Sequence, residues 1–193
     1  MADNLILIIK TIDMTRGRNY FVLSESEKNL FTYSSTQPCV FISHKKEDTD
    51  FARHLSDYVM DKGINVYFDE NDPIFAKEHK SPDDVVNAIK KGLEKSTHMI
   101  VVLSKMTLES NWVPWEVGFA SAKDKEYRLL RLSDVNGVIP EFYTIAKILN
   151  DYDDLDKYLS SIKRSQTNNT IPNIGEINKR HLLKRLDEMK KVY

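Results

Sequence analysis

Hydrophobic positions between residues 37 and 163 switch repeatedly between a strand-like and a helix-like period. Val40-Phe41-Ile42 is a short apolar run after Pro38, which predicts a buried strand. Ser43 to Asp48 is polar. Phe51, Leu55 and Val59 then recur at every fourth position, predicting a helix that Gly63 closes. Ile64 to Phe68 reads as a second strand, stopped by Asp69-Glu70-Asn71-Asp72-Pro73, and a polar loop continues to Lys80. Ser81 and Pro82 supply a cap and a first-turn proline for a helix whose face is Val85, Val86, Ile89 and Leu93. Met99 to Leu103 is apolar throughout, as a strand covered on both sides would be. Ser104 to Lys123 predicts a loop and then a helix. Tyr127 to Leu132 predicts a fourth strand, Ile145 to Leu149 a fifth, and Leu155 to Ile162 a closing helix.

Strands alternating with helices at this spacing imply a parallel sheet with helices on both faces. The expected strand order is 2-1-3-4-5, which makes strands one and three neighbours whose crossovers leave on opposite faces. A ligand would then sit beyond their carboxyl ends, at Ser43-His44-Lys45 and Ser104-Lys105. Around this unit, residues 1–36 form an N-terminal extension, residues 164–175 a polar linker with Pro and Gly, and residues 176–193 a last helix. Leu5 to Ile9 fits strand or helix, and Ser24-Glu25-Ser26-Glu27 resembles a capping box opening a helix to about Tyr33.

Composition narrows the class of protein. At 193 residues, 41% hydrophobic and 30% charged, the chain is long and apolar enough for one ordinary domain. The 28 basic and 29 acidic residues leave a net charge of -1, which argues against a nucleic-acid binder working by bulk charge. Cys39 is the only cysteine, so an intrachain disulfide or a cysteine zinc site is excluded. The longest apolar runs, Leu5 to Ile9 and Met99 to Leu103, are far short of the roughly 20 residues that cross a membrane. Acidic Asp3 stands where a secretory signal carries basic residues, so the expected location is the cytoplasm.

The chain has no Gly-rich phosphate loop, no Gly-x-Ser-x-Gly elbow and no His-Glu-x-x-His helix. Its five histidines are scattered, so no metal is expected. The notable cluster is Ser110-Asn111-Trp112-Val113-Pro114-Trp115-Glu116. Pro114 is tolerated only in a first helical turn, which starts this helix near residues 111–113, close to the crevice. Trp112 and Glu116, four apart, then share a face, and Trp115 and Phe119 share the next. A carboxylate beside an indole can hold ribose hydroxyls or stabilise positive charge as a glycosidic bond breaks. On spacing alone the commoner outcome is different: the indoles anchor the core and Glu116 is a solvated or capping acid. Ser43 and Ser104 either donate to a ligand or bond the backbone locally. Lys45 offsets ligand phosphates or is simply solvated. Asp69 points into the cleft or caps the turn after strand two. Phe75 lids a ring or fills a small satellite cluster.

Taken together, these motifs resemble a TIR (Toll/interleukin-1 receptor) domain of the bacterial type. Phe41-Ile42-Ser43-His44 with Asp48, Ala52 and Leu55 looks like the family's first box and first helix. Gly63 to Asp69 looks like its second strand, Ile89 to Ser104 like its second helix and third strand, and Ser110 to Glu116 like the segment with the catalytic glutamate. The resemblance covers about residues 38–163. It implies the flavodoxin-like five-stranded parallel sheet read above. It also implies a catalytic acid at Glu116, with Trp112 as its companion and Ser43, His44, Lys45, Asp69 and Ser104 lining a nucleotide pocket. Phe75 lies in the loop where a lid is expected. Glu70 to Lys80 lacks the Gly-Pro pattern common in that loop, and Pro114-Trp115 departs from the family pattern before Glu116.

Some TIR domains are signalling scaffolds, and others cleave NAD+ at the nicotinamide–ribose bond. The resemblance implies the second occupation, with NAD+ as substrate and no cofactor. It further implies a homo-oligomer formed by TIR–TIR contacts and, as in Thoeris-type antiphage systems, a separate effector that reads the nucleotide product. A non-catalytic scaffold and a nucleoside deoxyribosyltransferase-like enzyme are the rival expectations.

Overall fold

A computed structural model describes residues 16–21, 37–68 and 81–164. The expected N-terminal helix, residues 165–175 of the linker, the terminal helix, Asp69 and Phe75 lie outside these residues, and Arg164, expected to open the linker, instead ends the last described helix. The described elements run β1 (Cys39–Ser43), a 3-10 turn (Lys46–Asp48), α1 (Thr49–Asp61), β2 (Asn65–Tyr67), α2 (Pro82–Lys95) and β3 (His98–Leu103). They continue with α3 (Lys105–Leu108), α4 (Trp112–Ala122), β4 (Glu126–Arg131), α5 (Glu141–Thr144), β5 (Lys147–Leu149) and α6 (Tyr152–Arg164).

The five strands form one parallel sheet in the order β2-β1-β3-β4-β5, as the sequence predicts. Strand period 2 sorts the side chains onto two faces. Val40, Ile42, Val66, Ile100 and Val102 pack with Leu55 and Val59 of α1 and Leu155 and Leu159 of α6. Cys39, Phe41, Tyr67, Met99, Val101 and Leu103 pack with Val85, Ile89 and Leu93 of α2 and Val113 and Val117 of α4. The unbroken apolar run of β3 is therefore split between two cores, which is why it needs no polar alternation. Val86 is only half-buried, so the inner face of α2 is Val85, Ile89 and Leu93 with Gly92 between them. A Cβ at Gly92 would come within 2.5 Å of the Tyr67 ring and 2.7 Å of the Phe41 ring. The missing side chain is what lets α2 lie so close to those two stacked rings.

Helix starts follow their capping chemistry. The Ser81 hydroxyl accepts from the Asp84 amide and the Asp84 carboxylate accepts from the Ser81 amide, a reciprocal pair at the start of α2. Gly63, with φ of 77°, ends α1 in the left-handed region. The last two strands differ slightly from expectation. β4 runs one residue earlier than predicted. β5 starts at Lys147, because Ile145 projects outward at 82% exposure and belongs to the turn after α5.

One part of the N-terminal extension is placed. Arg18 and Tyr20 exchange backbone hydrogen bonds with Val66, each at 2.8 Å, so residues 18–20 cover the free edge of β2. Arg16 fastens this segment to Asp57 and Asp61 of α1 at 2.7 and 2.6 Å. An uncovered edge strand invites pairing with other chains, and this segment blunts it.

Candidate functional site

The site is built where β1 ends under α4. Cys39 and Phe41 face α2 and α4, so period 2 turns Ser43 to the same side. Ser43 is 2% exposed and its hydroxyl donates to a Glu116 carboxylate oxygen in a very short contact. Glu116 is itself only 7% exposed. This overturns the commoner expectation for the Trp-x-x-x-Glu spacing: the acid lies under cover, not in solvent.

α4 is aimed there by its own first turn. Ser110, buried, accepts from the amides of Trp112 at 3.2 Å and Val113 at 3.3 Å. Pro114 follows in the first turn, where its missing N–H has no intrahelical acceptor to serve. Trp112 opens the helix. It is half-buried against the α2/α4 core and meets Trp115 edge-on at 6.3 Å between ring centres. Trp115 stacks on Phe119 at 5.6 Å with planes 12° apart, as their four-residue spacing predicts. Trp112 and Trp115 are thus both core anchors, and Trp112 is also one turn before Glu116 on its helix.

His44 follows Ser43. Its ring lies 5.2 Å from that of Phe68, and Nδ1 is 3.4 Å from the Ile42 carbonyl oxygen. Burial pushes its pKa down to about 4, and the Ile42 carbonyl offsets this only in part. The imidazole is therefore neutral near pH 7. With Nδ1 donating to Ile42, buried Nε2 is an acceptor with no partner among the described residues. Lys45 is half-buried and precedes the 3-10 turn.

Ser104 has a different occupation from Ser43. Fully buried, it caps α3 by accepting from the Thr107 amide at 3.0 Å and donates to Asp48 at 2.5 Å. Thr107 donates to the Val102 carbonyl at 2.7 Å. Burial raises the pKa of Asp48; the Ser104 bond opposes that, and the nearby charge of Asp134 adds to it. Asp134 in turn accepts from the Lys105 amide at 3.1 Å. The hydroxyl of Ser104 is thus spent on tying the ends of β1 and β3 together, while the Lys105 amide ties β3 to Asp134 after β4.

The structure therefore brings Ser43 and Glu116 into contact, turns the His44 ring to Phe68 instead, and commits Ser104 to the neighbouring Asp48 network. Sequence reasoning missed Asp134 and Tyr143. Tyr143 of α5 is fully buried, and burial together with the charge of Glu116 raises its pKa to about 12. Neither residue belongs to a recognisable motif, since both sit in the irregular connection between β4 and β5. Among the described residues no group of three His, Cys, Asp or Glu side chains is placed to hold a metal, and no helix is long and apolar enough to cross a membrane.

A buried carboxylate at the end of a parallel sheet, fixed by a hydroxyl, can stabilise positive charge on a ligand and accept hydrogen bonds from its hydroxyls. The TIR domain family matches residues 40–158. The chain is 34% identical over 103 residues to NAD(+) hydrolase TcpA from Theionarchaea archaeon (strain DG-70-1), covering 53% of this chain and 30% of the relative. It is 33% identical over 110 residues to Disease resistance protein RPP2B of Arabidopsis thaliana, covering 56% and 8%. It is 28% identical over 122 residues to 2' cyclic ADP-D-ribose synthase AbTIR from Acinetobacter baumannii (strain 1295743), covering 60% and 42%. The chain spans less than half the length of each of these relatives.

Proposed function

The chain belongs to the TIR domain family, and from that premise we propose that it cleaves NAD+ between nicotinamide and ribose, as a hydrolase or a cyclase. The observation that carries this reading is the burial of Glu116 and its bond from Ser43 at the carboxyl end of the central strands. Relatives named as an NAD+ hydrolase and a cyclic ADP-ribose synthase support it.

Nicotinamide in NAD+ is already cationic, so it leaves as a neutral ring without a general acid. The C1′–N bond breaks, its electron pair goes to nicotinamide, and positive charge builds on the ribose. Glu116, ionised, stabilises that charge and accepts from the ribose hydroxyls. Water then adds at C1′ and loses a proton, giving ADP-ribose, nicotinamide and H+. In the cyclase branch a nucleophile within the same ADP-ribose takes the place of water. Ser43 fixes the carboxylate, His44 and Lys45 line the entry to it, and Trp112 borders it; Asp69 and Phe75 are assigned to substrate binding from the family resemblance alone. A preorganised electrostatic contact of this kind is worth roughly 10²–10³ in rate. No cofactor or metal takes part.

The same proposal extends to an assembly of TIR copies in the cytoplasm that releases the product as an immune, antiphage signal read by a separate effector. The scaffold reading keeps one observation in its favour: Val138 and Ile145 are apolar and 94% and 82% exposed, as a binding surface would require. Incubating the protein separately with NAD+ and with deoxynucleosides, and separating the products by chromatography, tests the proposal. Nicotinamide release from NAD+ is the expected result. Base exchange on deoxynucleosides alone would instead mark a deoxyribosyltransferase, and no turnover of either at high protein concentration would mark a scaffold.

A further inference from the structure

The reaction proposed above leaves one buried donor beside Glu116 without a task. Tyr143 lies in α5, fully buried in the same core cluster as Val113 and Val117. Those two valines stand three residues before and one residue after Glu116 on α4. The Tyr143 ring therefore belongs to the same apolar core as the stretch of helix that carries the acid. Its hydroxyl oxygen is buried with no hydrogen-bond partner among the described residues. Buried hydroxyls rarely go unpaired, because each costs the water it has lost. Glu116 is the charge that acts on this phenol, and together with burial it keeps the phenol protonated up to about 12. Tyr143 is thus a permanent donor next to a buried acceptor.

Resting on the assignment of Glu116 as the reacting acid, we propose that Tyr143 is a positioning residue: in solution its O–H donates to the Glu116 carboxylate, against the Ser43 hydroxyl. Two donors fix the plane of the carboxylate and hold it ionised. Tyr143 does not touch the substrate. It acts through Glu116, so its loss changes turnover and proton affinity more than substrate affinity.

A second tyrosine serves as the control. Tyr158 of α6 is also buried with an unpartnered hydroxyl, but it packs in the opposite core and its neighbouring acid is Glu126. The full chain, labelled with 13C at the glutamate carboxyl carbon, is titrated by NMR, with Glu116 assigned from the signal lost in Glu116→Gln. In Tyr143→Phe, which keeps the ring, the Glu116 midpoint is expected to move up by about one pH unit, the size of one lost hydrogen bond to a charged group. In Tyr158→Phe it stays where it is in the unsubstituted protein. With NAD+, kcat of Tyr143→Phe is expected to fall about tenfold with KM within about twofold, and the acid limb of its pH profile moves the same way as the midpoint. An unmoved Glu116 midpoint in a Tyr143→Phe protein of native circular dichroism overturns the pairing, whatever the activity. A shifted midpoint in a protein that releases no nicotinamide supports the pairing and overturns the NAD+ reading instead.

Discussion

The two ends of the sheet carry the same pair of groups in different surroundings. At the strand starts, Tyr158 is buried near Glu126, the first residue of β4. At the strand tails, Tyr143 is buried near Glu116. Glu126 is 47% exposed and bonds Arg128 at 2.5 Å, with His98 at 3.9 Å, while Arg128 also covers the Tyr158 ring at 4.8 Å. That is an ion pair at the edge of water, worth little and replaceable. Glu116 is buried, and its carboxylate accepts from a serine at the end of the central strand. Taking a carboxylate out of water is costly, and a fold that keeps one at the carboxyl edge of its sheet has placed charge where a ligand's charge can use it. Tyrosine beside glutamate is thus no signature of function by itself; burial of the acid and its place in the topology make the difference.

The two acids differ most on substitution. Glu116→Gln should lower nicotinamide release by roughly 10²–10³, while Glu126→Gln leaves it unchanged; equal losses at both ends would dissolve the distinction. Ser43→Ala is next in size. It removes one fixed donor and should cost about tenfold in kcat with the fold retained, read from steady-state kinetics and circular dichroism.

His44 gives a pH signature at the strand tails. It takes up a proton near 6.5 in the unfolded chain but only near 4 in the folded one. Between those values the unfolded chain binds more protons, so stability falls as pH is lowered through this window. His98, also lowered by burial, adds to that slope, whereas Asp48, raised by burial, opposes it. In His44→Gln the drop in urea-unfolding free energy between pH 6.5 and 4 should be smaller by about 1–3 kcal/mol. The smallest effect is expected at the strand starts, where Glu126→Gln should change stability by less than about 1 kcal/mol, and less still at high salt.

How much of this was legible beforehand depended on whether the signal was periodic. The sheet order and both cores follow from strand and helix periods in residues 38–162, and Ser43 shares the face of Phe41 by parity alone. The position of α4 was readable from Pro114, which fits only a first turn. The burial of Glu116 was not readable, because a four-residue spacing to Trp112 sets a helix face but not what covers it. Ser104 was readable as a strand-tail residue, yet its bond to Asp48 depends on how three loops meet. Tyr143 carried no signal: α5 is a single short turn in a connection with no repeat, and its burial is decided by tertiary packing.

The central claim is that Glu116, and no other acid, makes the NAD+ chemistry possible. Its most direct test is the rate of nicotinamide release from NAD+ by the unsubstituted protein, Glu116→Gln and Glu126→Gln, at equal concentration and with the fold of each checked. Release by the unsubstituted protein and by Glu126→Gln at matching rates is expected, with almost none by Glu116→Gln. A folded Glu116→Gln protein that frees nicotinamide as fast as the unsubstituted one contradicts it.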